Sequence, residues 1–293
     1  MKKKIITICA AVLFLTALGL TLYPLISNYV NQKYVSEIQT AYQVLIQQTD
    51  ESVLQEAKQR ATAYNLAITP GTADAYGEEA LLSASEDYEN QLDIAGNGIM
   101  GYVEIPKIQV HLPIYHGTDA EVLDRGVGHL LGSSLPVGGK NTHTILSGHS
   151  GMASQKMFTD LEQLTQGDVF YLNVLNETLA YRVIQISTVL PYETELLSIV
   201  PGADLCTLVT CTPYGVNTHR LLVRGSRIPY EKAAALEEES AATEQATSTW
   251  EAKYLQGLLL GCAAAGGVSM IIFLGMRVKK RTQHRNGGRY AKR

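Results

Sequence analysis

Residues 207 to 225, TLVTCTPYGVNTHRLLVRG, put Cys211 at the end of one β-rich run and Arg220 near the start of the next. Thiolate sulfur is a strong nucleophile close to neutral pH, and a neighbouring guanidinium favours thiolate over thiol. If the two runs pair as a hairpin with TPYGVNT as the turn-rich loop, Cys211 faces His219 or Arg220 at roughly 5 Å. Acyl transfer also requires a proton donor for the leaving group, and histidine supplies it best at this pH. Three histidines compete for that role. His149 sits in TILSGHSG at the end of a short β run between small residues, His219 lies next to Arg220, and His143 falls earlier in the run that leads to His149. The plainer alternative makes Cys211 a buried apolar filler and Arg220 an ordinary surface charge.

Positioning these groups falls to the segment that begins near Gly98. Short apolar or alternating runs recur there as IMGYVEI, VHLPIY, HTILSGH, DVFYLNVL, LAYRVIQISTVL, CTLVTC and RLLVRGSRI, separated by Gly, Pro, Asn and Asp. About seven or eight strands in that texture read as a closed barrel or a sandwich. Before them, Asn31 to Ile68 lacks Gly and Pro and spaces Tyr34, Ile38, Leu45, Val53 and Ala57 at helical intervals, which predicts one helix or two. Residues 69 to 98 are rich in Gly, Ala, Ser and acids and read as loop with at most a short helix. The acidic, Ala-rich stretch after Tyr230 reads as a solvated helix or disordered stalk.

The outer segments point to a membrane. Ile5 to Gln32 carries no charge and follows Lys2, Lys3 and Lys4, and Tyr254 to Met276 is also uncharged and runs into Arg277, Lys279, Lys280 and Arg281. Each run can cross roughly 30 Å of hydrocarbon as a helix, and the basic flanks place both termini in the cytoplasm. The competing reading of the first run, a cleaved signal peptide, requires an apolar stretch shorter than this one. Of 24 Lys and Arg, 11 lie in the two tails, which leaves 13 basic against 28 acidic groups between the spans, a net charge of −15. Such a charge argues against nucleic acid as a partner. Cys9 and Cys262 fall inside the spans. Cys206 and Cys211, in LCTLVTC, are separated by roughly 16 Å of extended chain and point to opposite faces, so they are expected to be unpaired.

These residues resemble the sortase family, and within it the class C, pilin-polymerising sortases. The resemblance rests on GYVEIPKIQVHLPIYHG with GVGHLLGSSLPVGG, on LSGHSG, and on TLVTCTPYGVNTHRLLVRG, in that order over most of residues 98 to 228. It implies a mainly β fold: a closed sortase-type β-barrel of about eight strands with an N-terminal helical extension, flanked by two transmembrane helices. Carried over position by position, it makes Cys211 the nucleophile, His149 the acid and base, and Arg220 the electrostatic stabiliser, with no metal or other cofactor. Thr210 and Tyr214 are candidate groove residues, Thr210 more as a backbone positioner. The family's inhibitory lid motif, Asp-Pro-aromatic, is absent, and its nearest counterpart here is Asp74-Ala75-Tyr76, so Asp74 and Tyr76 are the lid candidates.

The expected organisation is a cytoplasmic tail (1–4), a signal-anchor span (5–30), a helical extension with the candidate lid (31–97), a catalytic barrel (98–230), an acidic stalk (231–253), a second span (254–276) and a basic tail (277–293). The implied reaction cleaves an LPXTG-like sorting signal between Thr and Gly through a Cys211 thioester. The acyl group then passes to a pilin lysine amine, which makes pilin or surface-protein sorting signals and the membrane the partners. Two alternatives stand beside it: a sortase that anchors surface proteins to peptidoglycan, and a membrane-tethered binding ectodomain without chemistry.

Overall fold

The computed structural model describes residues 2–68, 88–152, 154–243 and 252–264. Eight strands close into one barrel: β1 (Ile99–Ile105), β2 (Val110–His116), β3 (Val127–His129), β4 (Thr142–Ser147), β5 (Val169–Val174), β6 (Glu177–Val189), β7 (Asp204–Thr212) and β8 (His219–Ile228). Around the barrel they follow the order β1-β2-β3-β4-β7-β8-β6-β5, and β5 pairs back onto β1. Pairing is antiparallel except at β2 with β3 and β4 with β7. Seven strands match the alternating runs of the sequence. The eighth, β3, spans three residues around a glycine, too short for an alternation to show.

Alternation along β7 sorts its two cysteines. Cys206 and Leu208 are fully buried in the barrel core, whereas Leu205, Thr207, Val209 and Cys211 face the other way. Both cysteines are free thiols, as their spacing requires.

The first expected span and the first part of the helical extension are one continuous helix, α1 (Lys2–Gln48), with Pro24 as its internal proline. It is long and apolar enough to cross a membrane. A corner at Thr49 and Asp50, where the Asp50 carbonyl accepts from Val53 and Leu54 N–H, leads into α2 (Glu51–Ala67). Tyr42, Ile46, Leu54, Ala57 and Ala61 bury one face of this helical pair in the barrel's own core. Each large side chain among them contributes roughly 1.5–3 kcal/mol through apolar area removed from water. Asn65 fastens the end of α2 to the barrel: its amide accepts from Leu135 N–H at 2.7 Å and donates to Leu135 carbonyl at 3.1 Å.

A short helix, α3 (Ala120–Leu123), capped by the Asp119 carboxylate, precedes β3. The first part of the expected acidic stalk forms α4 (Tyr230–Thr243). It is not simply solvated, because Ala233 is fully buried against Val169, Tyr171 and Ala180, and Tyr171 donates a hydrogen bond to Glu237. The small side chain of Ala233 makes that approach possible.

The chain from Ser248 onward is a second unit, and its described residues, 252–264, are helical. The rest of the expected second span and the basic tail lie outside the described residues. So do the lid candidates Asp74 and Tyr76.

Candidate active site

Two strand pairings assemble the site. Strands β4 and β7 run in parallel, with Ser147 level with Val209, so both chains leave the barrel at the same edge. The pairing continues beyond the strands: Gly148 N–H donates to Val209 carbonyl at 3.0 Å, and the Thr210 hydroxyl donates to Gly148 carbonyl at 2.7 Å. One residue further along each chain stand His149 and Cys211. On the other side of β7, antiparallel β8 places Arg220 directly opposite Cys211. His149 and Arg220, far apart from each other in sequence, thus flank the sulfur.

The same register separates the competing histidines. His219 pairs with Thr212 and therefore points to the opposite face from Cys211 and Arg220; its Nδ1 accepts from the Thr218 hydroxyl at 2.9 Å. His143 is level with Leu205, six residues of β7 before Cys211, or roughly 20 Å along an extended strand. Its ring is buried, donating from Nδ1 to Ser198 carbonyl at 2.9 Å and accepting at Nε2 from the Thr207 hydroxyl at 2.7 Å. Its role is to pin the chain between β6 and β7 onto the barrel.

His149 is held by its backbone. Its carbonyl accepts from Phe158 N–H at 3.0 Å, and the Phe158 ring lies 2.8 Å from where a Cβ on Gly148 would stand, so only glycine fits before the histidine. The imidazole is 35% exposed, and its Nε2 lies 3.9 Å from an Asp124 carboxylate oxygen on the turn after α3. Nothing in the sequence pointed to Asp124, because the contact joins two loops. Arg220 is fixed through Nη1, which donates to the carbonyls of Asn217 (3.3 Å) and His219 (3.1 Å).

Thr210 is 4% exposed and faces the barrel interior, where its hydroxyl reaches the chain before His149 through Gly148 carbonyl. Thr210→Val keeps the shape and removes the hydroxyl bond to Gly148 carbonyl. It should cost about 1 kcal/mol of stability and lower turnover several-fold by loosening His149. Thermal melts and initial rates on one preparation test this, and wild-type turnover would contradict the positioning role. Tyr214 is exposed, with its ring packed over Gly151 in the loop that follows His149.

An apolar groove of about 540 Å³ runs up to this edge on the outer face of β4, β7 and β8. Its floor is Ile145, Val209 and Leu222, and Arg220 stands in its wall. Its roof is the chain between β6 and β7, with Leu190, Pro191, Thr194 and Leu197. Two barrel residues hold that roof in place: His143 through Ser198, and Arg224 through a hydrogen bond to Leu196 carbonyl. Sequence periodicity missed this roof because it contains only a three-residue 3-10 turn, Glu195–Leu197.

Burial holds the His143 and His129 imidazoles down to about 4, against an ordinary 6.5. The unfolded chain therefore takes up protons that the folded one refuses. Stability is full above about pH 6.5 and falls as pH drops from there toward about 4. By pH 5 each histidine removes on the order of 2 kcal/mol. The melting temperature should decline between pH 7 and pH 5, and His143→Gln should blunt the decline; a flat profile would contradict the neutral buried imidazoles.

A closed eight-stranded barrel preceded by a long helix is the sortase fold. Residues 103–228 match the Sortase domain family, and the chain belongs to the sortase family, whose members are cysteine transpeptidases. Class C sortases are among the solved structures it resembles. It shares 47% identity and a TM-score of 0.61 with sortase C1 from Streptococcus agalactiae, covering 66% of this chain and 98% of that one. With the sortase C of Streptococcus pneumoniae the values are 42% and 0.60, covering 66% and 97%. The sortase A of Streptococcus agalactiae serotype III (strain NEM316) is 26% identical over 248 residues, 84% of this chain and 92% of that protein.

Proposed function

We propose that this chain is a membrane-anchored pilin polymerase that joins an LPXTG-like sorting signal to a lysine of the next subunit. The observation that carries the chemistry is the pair of registers that sets His149 and Arg220 on either side of Cys211. The pilin assignment draws on the class C likeness, since the pneumococcal sortase C is described in terms of its pilin substrate specificity. The membrane assignment draws on α1 and, with it, the second apolar run and the basic tail.

In this reading the Leu and Pro of the signal lie in the apolar groove, and the Thr carbonyl comes to the Cys211 edge. The Cys211 thiolate attacks that carbonyl carbon, and the developing oxyanion is met by the Arg220 guanidinium. Collapse of the tetrahedral intermediate breaks the Thr–Gly bond, and the His149 imidazolium gives its proton to the departing glycine amine. What remains is a Thr thioester on Cys211 and a neutral imidazole. The incoming lysine gives its first proton to solvent and attacks the thioester as the neutral amine, and the imidazole takes the second proton from that nitrogen as the C–N bond forms. An isopeptide bond forms, and the sulfur leaves as thiolate beside the regenerated imidazolium. The cycle balances without a cofactor.

Acceptor competition tests the assignment. The thioester enzyme, formed from an LPXTG-type peptide, would be offered a lysine-containing pilin segment together with a peptidoglycan stem-peptide amine at equal concentration. Predominant isopeptide product on the pilin lysine is expected. Predominant transfer to the stem peptide would replace pilus assembly by wall anchoring.

A further inference from the structure

The contact between α1 and the barrel bears on where the active site stands relative to lipid. About 20 residues of helix fill the roughly 30 Å of bilayer hydrocarbon. Counted from Lys4, the hydrocarbon ends near Pro24, and the outer headgroup layer takes the next two turns, up to Lys33. Over this stretch α1 shows two faces. Tyr23, Ile26, Val30 and Tyr34 are exposed along one of them. Asn28, Val35, Tyr42 and Ile46 are buried along the other, about half a turn away. Bare tyrosines at this height suit a membrane–water interface. Asn28, although only one turn beyond the hydrocarbon, is 4% exposed because the barrel already covers it.

What covers Asn28 is the loop that follows His149. Its side-chain oxygen accepts from Lys156 N–H at 2.9 Å, and the Asn31 amide donates to Ser154 carbonyl at 2.9 Å. Lys156 is itself locked, its Nζ donating to Ile108 carbonyl at 2.6 Å and pairing with Asp160 at 3.2 Å. Two residues on, Phe158 N–H donates to His149 carbonyl. From Asn28 to His149 the path is therefore two hydrogen bonds and two residues of chain, at most about 20 Å.

We propose that the outer bilayer surface is the docking surface for the catalytic end of the barrel, with Asn28 and Asn31 as the clasp that holds His149 within about 20 Å of the headgroup layer. The inference rests on the reading of α1 as a membrane span. The occupant of the exposed face of α1 is lipid, because that face continues without a break from the span itself. A scissile bond is then captured within about six extended residues of the membrane surface.

The test is a distance in the full chain, reconstituted in phospholipid vesicles with acceptor dyes on the lipid headgroups. Glu121, exposed on α3 close to Asp124, is replaced as Glu121→Cys and carries the donor dye. Cys9→Ser, Cys211→Ala and Cys262→Ser remove the other accessible thiols. Energy transfer should place the dye within about 30 Å of the headgroup plane, allowing for the linker. A distance beyond about 45 Å overturns the proposal, since that exceeds any path through the clasp. Asn28→Ala with Asn31→Ala, checked for folding by its melt, should lengthen the mean distance by about 10 Å or more, because both hydrogen bonds to the loop are gone. An unchanged distance in that variant removes the clasp. Vesicle flotation separates the two readings: a chain that fails to float sinks the membrane assignment as well, whereas a floating chain with a distant barrel sinks this inference alone.

Discussion

Cys211→Ala abolishes acyl transfer, lowering the rate of product formation by at least about 10⁴-fold, the scale on which loss of a nucleophile is felt. No other thiol can stand in. Cys206 is fully buried in the barrel core, and burial pushes its thiol well above the ordinary range, so it presents neither an accessible nor an ionised sulfur. Cys9 and Cys262 belong to the apolar runs at the two ends of the chain. In the proposed cycle, without a thioester neither His149 nor Arg220 has an intermediate to act on. Chromatographic assay of the ligated product measures the effect. Residual turnover above about 1% of wild type would mean that the barrel edge accelerates transfer by a route other than covalent catalysis.

Arg220→Lys is expected to lower kcat/KM by about 10²–10³-fold, the usual consequence of losing a preorganised donor at a developing oxyanion. Charge alone is not the requirement. Hydrogen bonds from Nη1 to Asn217 and His219 carbonyls fix the plane of the guanidinium. An ammonium on a flexible stem reproduces neither the plane nor the fork. Arg220 sits at the barrel edge and outside the fully buried core, so the variant should melt close to wild type, which separates a catalytic loss from a folding one. A rate within about threefold of wild type would reduce Arg220 to a general positive charge near the thiolate.

Much of this site was legible in the sequence, for reasons of local geometry. Alternation revealed seven strands, and the β7–β8 hairpin follows from TPYGVNT standing between two apolar runs, so either His219 or Arg220 was expected opposite Cys211, and the register sets Arg220 there. The position of His149 beside Cys211 could not be fixed that way. It depends on β4 lying parallel beside β7, a pairing between segments some sixty residues apart, and no local rule announces it. Parity then removes His219, which falls on the other face by a single residue.

Other features were illegible because they consist of contacts and carry no periodicity. The groove roof between β6 and β7 is held by His143 and Arg224, each of which reads in sequence as an isolated polar residue. Asn28 and Asn31 look like the polar end of an apolar run and turn out to grip the His149 loop. The packing of α4 was also missed, because an acidic, Ala-rich composition hides the one buried stripe through Ala233.

Covalent capture at Cys211 is read out by the intact mass of the protein after incubation with an LPXTG-type peptide. The predicted result is a mass increase equal to the peptide's acyl portion through Thr, present on wild type, absent from Cys211→Ala, and discharged when a lysine amine is added. A folded wild-type protein that shows no such adduct, or that carries it equally after Cys211→Ala, would contradict the central claim.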